Sequence, residues 1–335
     1  MPPHGACILG CGGAMLDDSE RRFFRETDPF GFILFARNVE NPDQLRALCN
    51  ELRETVGRDA PILIDQEGGR VARLRAPHWH EWLPALEQVR RCRPADAPRA
   101  MWLRYRLIAQ DLRAVGIDVN CAPMVDVPSA QVHQIIRDRC YGLDAATVTR
   151  NGRAVADGLL AGGVLPVLKH IPGHGRPSAD SHVDLPRTDA PIDALREVDF
   201  APFKALADLP MGMTAHVVYG ALDPDRPATL SPVVIDVIRR EIGFDGLLMS
   251  DDLSMQALQG SLDRRTTGAL AAGCDVVLHC NGDMAEMEQV ATAAGRMDGA
   301  ATRRADRALA LRHQPDTVDR NTLLAELDDL LMLGG

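Results

Sequence analysis

The feature that most constrains this chain is a set of eight short apolar and β-branched runs, each closed by turn residues. They are ACILG from Ala6, GFILFA from Gly31, PILID from Pro61, IDVNCAP from Ile117, VLPVLKH from Val164, GMTAHVV from Gly212, GLLMSD from Gly246 and CDVVLHC from Cys274. Their hydrophobicity is continuous rather than alternating, which suits strands buried on both faces of a parallel sheet. Between them lie amphipathic stretches, among them NPDQLRALCNELRETVG, TVTRNGRAVADGLLAGG and SPVVIDVIRREIG. Asn, Thr or Ser near their starts and Gly at their ends mark them as capped helices. Strand and helix alternating eight times predicts an α/β chain folded as a single (β/α)8 TIM-type barrel, with a doubly wound sheet as the alternative. The barrel is preferred because GCGGAM from Gly10 lacks the third glycine of G-x-G-x-x-G, and no G-x-x-x-x-G-K-[ST] occurs. The Pro- and Arg-rich stretch from Arg75 to Arg99 reads as a long connection and NTLLAELDDLLML as a closing helix. No repeat or linker divides the 335 residues, so one catalytic domain over 1–335 is expected.

Charge and cysteine usage narrow the partners. With 37 basic and 47 acidic residues the net charge is −10, and the basic residues are scattered. Phosphate backbones and anionic membranes are repelled overall, so neither nucleic acid nor membrane is an expected partner. No apolar run approaches the roughly 18 residues of a membrane span. Eight cysteines without C-x-x-C spacing fit reduced thiols better than a disulfide framework. MPPHGACILG lacks the basic start and long apolar stretch of a secretory signal. A cytoplasmic protein, monomeric or weakly dimeric, is expected.

Barrel enzymes build their sites at the C-terminal ends of the strands. Asp65 ends PILID, Lys169 and His170 end VLPVLKH, His216 lies late in GMTAHVV, Asp251 ends GLLMSD and Asn281 follows CDVVLHC. One such aspartate is explained by helix capping; five polar sites on one rim are not. The densest segment is KHIPGHGRPSADSH, Lys169 to His182. His170 and His174, four apart, match a helical zinc pair, but Pro172 and Gly173 between them argue against a helix. The other reading is a glycine-rich loop in which Asp180 orients His182 as a general acid, with no metal or cofactor. IDQEGGRVARL adds Asp65 together with Arg70 and Arg73, which are spaced to flank a sugar or anionic group. In LLMSDDLSM one of Asp251 and Asp252 is free to cap a helix, and a carboxylate at a strand end is placed to attack an electrophilic carbon.

Taken together, KHIPGHGRPSADSH, IDQEGGRVARL, GFILFARN, MTAHVVYGALDPDRPATLS and LLMSDDLSM resemble the bacterial β-N-acetylglucosaminidases of glycoside hydrolase family 3, the NagZ type of peptidoglycan recycling. The match runs from about Phe30 to Asn281 in the family's order. It departs at CILGCGGAML, where many relatives carry an aspartate in M-L-D. The resemblance implies a lone barrel with Asp251 as nucleophile, His182 as acid/base and Asp180 as its dyad partner. It further implies that Asp65, Arg73, Arg139, Lys169 and His170 hold the sugar. The substrate implied is a muropeptide fragment, N-acetylglucosaminyl-1,6-anhydro-N-acetylmuramic acid with or without peptide. A retaining glycosidase needs such a carboxylate and proton donor. Transfer to phosphate by the same site remains an alternative reading, as does a sugar-binding barrel, although the latter has no use for both Asp251 and the dyad.

Overall fold

The computed structural model describes residues 3–177, 185–256 and 258–332. Eight parallel strands close into a barrel: β1 (Gly5–Gly10), β2 (Pro29–Leu34), β3 (Ile62–Ile64), β4 (Val119–Asn120), β5 (Leu165–Ile171), β7 (Met211–Thr214), β9 (Leu247–Asp252) and β10 (Val276–His279). Their order is β1-β10-β9-β7-β5-β4-β3-β2, with β2 returning to β1. Each predicted run overlaps one of these strands, with bounds that differ by one or two residues at some ends. Both faces are covered, so β1, β2, β3 and β5 are buried at every residue, and this is why their sequences run apolar without alternation. All eight cysteines are buried and free. None of the described helices is long and apolar enough to cross a membrane.

Local signals set the helix ends. In α2 (Pro42–Val56) the Asn41 side chain accepts from the N–H groups of Asp43 and Gln44, Pro42 occupies the first turn, and Gly57 ends the helix at φ 64°. Ser231 caps SPVVIDVIRREIG in the same way, and Gly243 closes it at φ 82° after the last turn widens to a π-helix. The helix over TVTRNGRAVADGLLAGG begins earlier than its threonines suggest, at Ala145, because Asp144 is the cap.

Two expectations are corrected. The stretch from Arg75 to Arg99 is not a plain connection: it contains α3 (Ala85–Arg91) and the start of α4 (Ala97–Ala114). Pro84 and Pro98 open these helices instead of breaking them, as proline does in a first turn. GMTAHVV, read as one strand, leaves the barrel after Thr214. Its last part becomes β8 (Val218–Tyr219), which pairs with β6 (Arg187–Thr188) in a separate two-stranded sheet beside the rim.

Candidate active site

A cavity of about 240 Å³ opens at the C-terminal ends of the strands, lined by Phe35, Asp65, Arg73, Arg139, Lys169, His170, His174, Asp251 and Asp252, among others. Six of the residues expected from sequence to act on the substrate, Asp65, Arg73, Arg139, Lys169, His170 and Asp251, therefore share one pocket. Asp180 and His182 lie outside the described residues. Arg70 is exposed and does not join Arg73; it bounds a smaller cavity beyond Arg139. Asn281 caps a turn, accepting from the Asp283 N–H at 2.8 Å, and is not part of the pocket.

On the β3–β5 side the charges are interlocked. Lys169, almost wholly buried at the end of β5, donates to Asp65 Oδ1 at 2.9 Å and lies 2.7 Å from Glu67 Oε1. Arg139 follows the short helix α5 (Gln134–Arg137) and grips Glu67 with Nε at 2.9 Å and Nη2 at 2.8 Å, a two-pronged pair that fixes its plane. Arg73 donates to Asp65 Oδ2 at 3.2 Å, and its guanidinium lies 5.1 Å from the centre of the Phe35 ring. Burial alone would raise the Glu67 carboxyl, but Arg139 and Lys169 hold it well below the usual carboxylate range. The same carboxylates overcome burial at Lys169 and keep it charged. Glu67 was not singled out from the sequence; the Asp-Gln-Glu-Gly-Gly run that carries it was the available signal.

His170 is held differently. Its Nδ1 meets Asp126 Oδ2 at 2.7 Å, so its other ring nitrogen is the one left for the cavity. Asp126 also accepts from the His174 N–H at 2.6 Å, and it too escaped the sequence reading. His170 ends a strand, and His174 follows Gly173, whose φ is +138°, so the two are not a helical pair. Their ring centres are 5.6 Å apart. Burial, with His170 adding to it, pushes the His174 imidazole down to about 4, which leaves it neutral near pH 7. Among the described residues no three His, Cys, Asp or Glu side chains are placed to hold a metal ion.

On the opposite side, at the end of β9, Asp251 makes one hydrogen bond among the described residues: its Oδ1 accepts from the Asp252 N–H at 2.8 Å. Asp252 is the capping residue, accepting from the Ser254 N–H and hydroxyl and from the Cys280 N–H. Burial disfavours the Asp251 charge, yet His216, His170, the Asp252 N–H and Lys169 outweigh it and keep the carboxyl ionised. His216, fully buried, donates from Nε2 to the Asp252 carbonyl at 3.0 Å, and its Nδ1 lies 2.7 Å from the Thr229 hydroxyl, which donates to the Ala215 carbonyl at 3.2 Å. Burial lowers the imidazole, opposed by Asp251 and the Asp252 carbonyl. An ionised, under-bonded carboxylate thus faces a pocket lined with cations and polar donors, which is what displacement at a sugar's anomeric carbon asks of a nucleophile.

Residues 17–309 match the glycosyl hydrolase family 3 N terminal domain. The chain belongs to that family and is a glycoside hydrolase. Within it the chain is 39% identical over 285 residues to the β-hexosaminidase of Alkalilimnicola ehrlichii, covering 83% of this chain and 81% of that protein. It is 36% identical over 299 residues to the β-hexosaminidase of Pseudomonas aeruginosa, covering 88% and 87%. Among solved structures it superposes on NagZ from Neisseria gonorrhoeae with a TM-score of 0.83 at 28% identity, covering 98% of this chain and 96% of that one. This places the chain with the NagZ-type β-hexosaminidases of the family.

Proposed function

We propose that this β-hexosaminidase is a retaining exo-β-N-acetylglucosaminidase that removes terminal N-acetylglucosamine from muropeptide fragments in the cytoplasm, N-acetylglucosaminyl-1,6-anhydro-N-acetylmuramic acid foremost. Asp251 attacks the anomeric carbon, and His182, oriented by Asp180, protonates the leaving oxygen and then activates water. Asp65, Arg73, Arg139, Lys169 and His170 receive the sugar's hydroxyls and amide. The observation that carries this reading is the state of Asp251: ionised, bonded once among the described residues, and facing the cavity. The whole chain acts as one catalytic unit and needs no metal.

The test is product analysis on a chromogenic N-acetylglucosaminide and on the anhydro-disaccharide, with and without inorganic phosphate. Free N-acetylglucosamine in both cases supports hydrolysis. A sugar phosphate formed at the expense of the free sugar would make the protein a phosphorylase, and no turnover would leave only a binding barrel.

A further inference from the structure

Both described ends of the segment that carries Asp180 and His182 are fastened, the far one to the β6–β8 pair and the near one to the loop after β4, and the near fastening is unusual. Gly175 is packed so closely against β4's continuation that a Cβ there would stand 1.8 Å from the Val127 carbonyl oxygen. Ser129 ties the same stretch down, its N–H donating to the Gly175 carbonyl at 2.8 Å and its hydroxyl to the Arg176 carbonyl at 3.3 Å. The Arg176 side chain turns back into the body: Nε donates to Asp199 Oδ2 at 2.7 Å and Nη2 to the Ala194 carbonyl at 3.3 Å. Asp199 is 2% exposed, and Arg176 is the one cation within 4 Å of it among the described residues. On the far side Pro186 accepts from the Val218 N–H at 2.9 Å as the chain enters β6. The two sides meet at Tyr219, whose hydroxyl donates to the Gly173 carbonyl while its backbone belongs to the β6–β8 pair.

An exposed ion pair contributes little, but one with a buried carboxylate is costly to break, because the carboxylate must then either stay charged in the interior or take up a proton. Here that cost falls on the position of one backbone point, Arg176, four residues before Asp180 and six before His182. We propose that the Arg176–Asp199 pair positions the acid/base segment: it fixes where that segment leaves the barrel and hence how well the His182 ring reaches the glycosidic oxygen. This rests on the assignment of His182 as proton donor. Arg176 touches no substrate on this account and is a positioning residue, acting through His182; displacement of about 1 Å in a reacting group is enough to lower rates about a hundredfold.

The test compares single-turnover glycosylation of a 2,4-dinitrophenyl N-acetylglucosaminide, which needs little proton donation, with that of the anhydro-disaccharide, which needs it fully. Arg176→Met is expected to slow the disaccharide about tenfold or more and the aryl glycoside less than about twofold. Arg176→Lys should recover part of the loss. Combined with His182→Ala, Arg176→Met should cost nothing further on the disaccharide. Asp199→Asn, isosteric and able to accept from Arg176, should show the same selectivity more weakly and serves if Arg176→Met does not fold. Equal losses on both substrates, or losses that add fully to those of His182→Ala, would overturn the inference. If His182→Ala itself slows both substrates equally, the assignment of the proton donor fails, and the inference falls with it.

Discussion

The two sides of the pocket solve opposite problems. Around β3 and β5, Asp65, Glu67, Lys169, Arg139 and Arg73 satisfy one another in five contacts of 2.7 to 3.2 Å, with Glu67 and Lys169 buried. Around β9, Asp251 has one hydrogen bond among the described residues, to backbone, while its neighbour Asp252 takes the bonds a strand end requires. On the proposed reading, the groups assigned to hold the substrate are made rigid by pairing with one another. The group proposed to form the bond, Asp251, keeps its charge and few partners. Capping duty, on Asp252, is thereby separated by a single residue in the sequence from the attack proposed for Asp251, a division that one aspartate alone could not provide.

Breaking that division has its largest effect at Asp251. Asp251→Asn should abolish turnover by several orders of magnitude with the fold intact, since the amide retains the Asp252 N–H bond but cannot attack. A 2-fluoro sugar followed by peptide mapping should label Asp251 in the native enzyme. An active Asp251→Asn beside a dead Asp252→Asn would reverse the assignment.

On the interlocked side the first loss should be stability. Glu67→Gln leaves Lys169 and Arg139 with a neutral partner in the interior, where breaking a buried pair costs about 3 to 5 kcal/mol. Chemical denaturation should show this, and Asp65→Asn, at a partly exposed position, should cost less. Equal stability of Glu67→Gln and the native protein would show that the network is not a structural unit.

Acid provides a smaller effect. The His174 imidazole is pushed down to about 4, whereas in the unfolded chain it takes up its proton near pH 6.5. Between these values the unfolded state holds more protons, so stability falls as pH falls through the window. Asp199 acts the other way, because burial, reinforced by Asp126 and opposed by Arg176, raises its carboxyl to about 6 and the folded state holds the extra proton. His174→Asn removes only the first contribution. Relative to the native protein it should therefore gain up to about 3 kcal/mol between pH 6.5 and 4.5. Parallel stability curves for the two proteins would show that His174 titrates normally.

How much of this was visible in the sequence follows from the range over which each signal acts. Continuous apolar runs identify all eight barrel strands, since burial on both faces leaves its mark within five or six residues. Asp65, Lys169, His170 and Asp251 declare themselves as polar residues ending such runs. Glu67 and Asp126 do not, because their partners Arg139, Lys169 and His170 are 44 to 102 positions away and only barrel closure brings them together. The helices between Arg75 and Arg99 were hidden by prolines at their starts. In α4 the burial of Arg104 and Arg106 also breaks the apolar stripe that would have marked a helix face.

The smallest expected effect belongs to Arg73, which joins the two sides of the comparison. It shares Asp65 with Lys169, yet its contact there is the longest of the set, 3.2 Å, and its Nε is buried with no partner among the described residues. A donor in that condition beside an open cavity is satisfied once a substrate oxygen arrives. Arg73→Lys keeps the charge and can keep the Asp65 contact, but loses the planar fork and the stacking on Phe35. The expected cost is about 1 kcal/mol, roughly fivefold in kcat/KM, expressed in KM because the bond is made to bound sugar before the reaction begins. Substrates lacking the group that Arg73 receives should be insensitive to the change, so a series of deoxy-sugars identifies which oxygen it holds. A uniform drop in kcat across the series, with KM unchanged, would move Arg73 from sugar binding to stabilisation of the transition state.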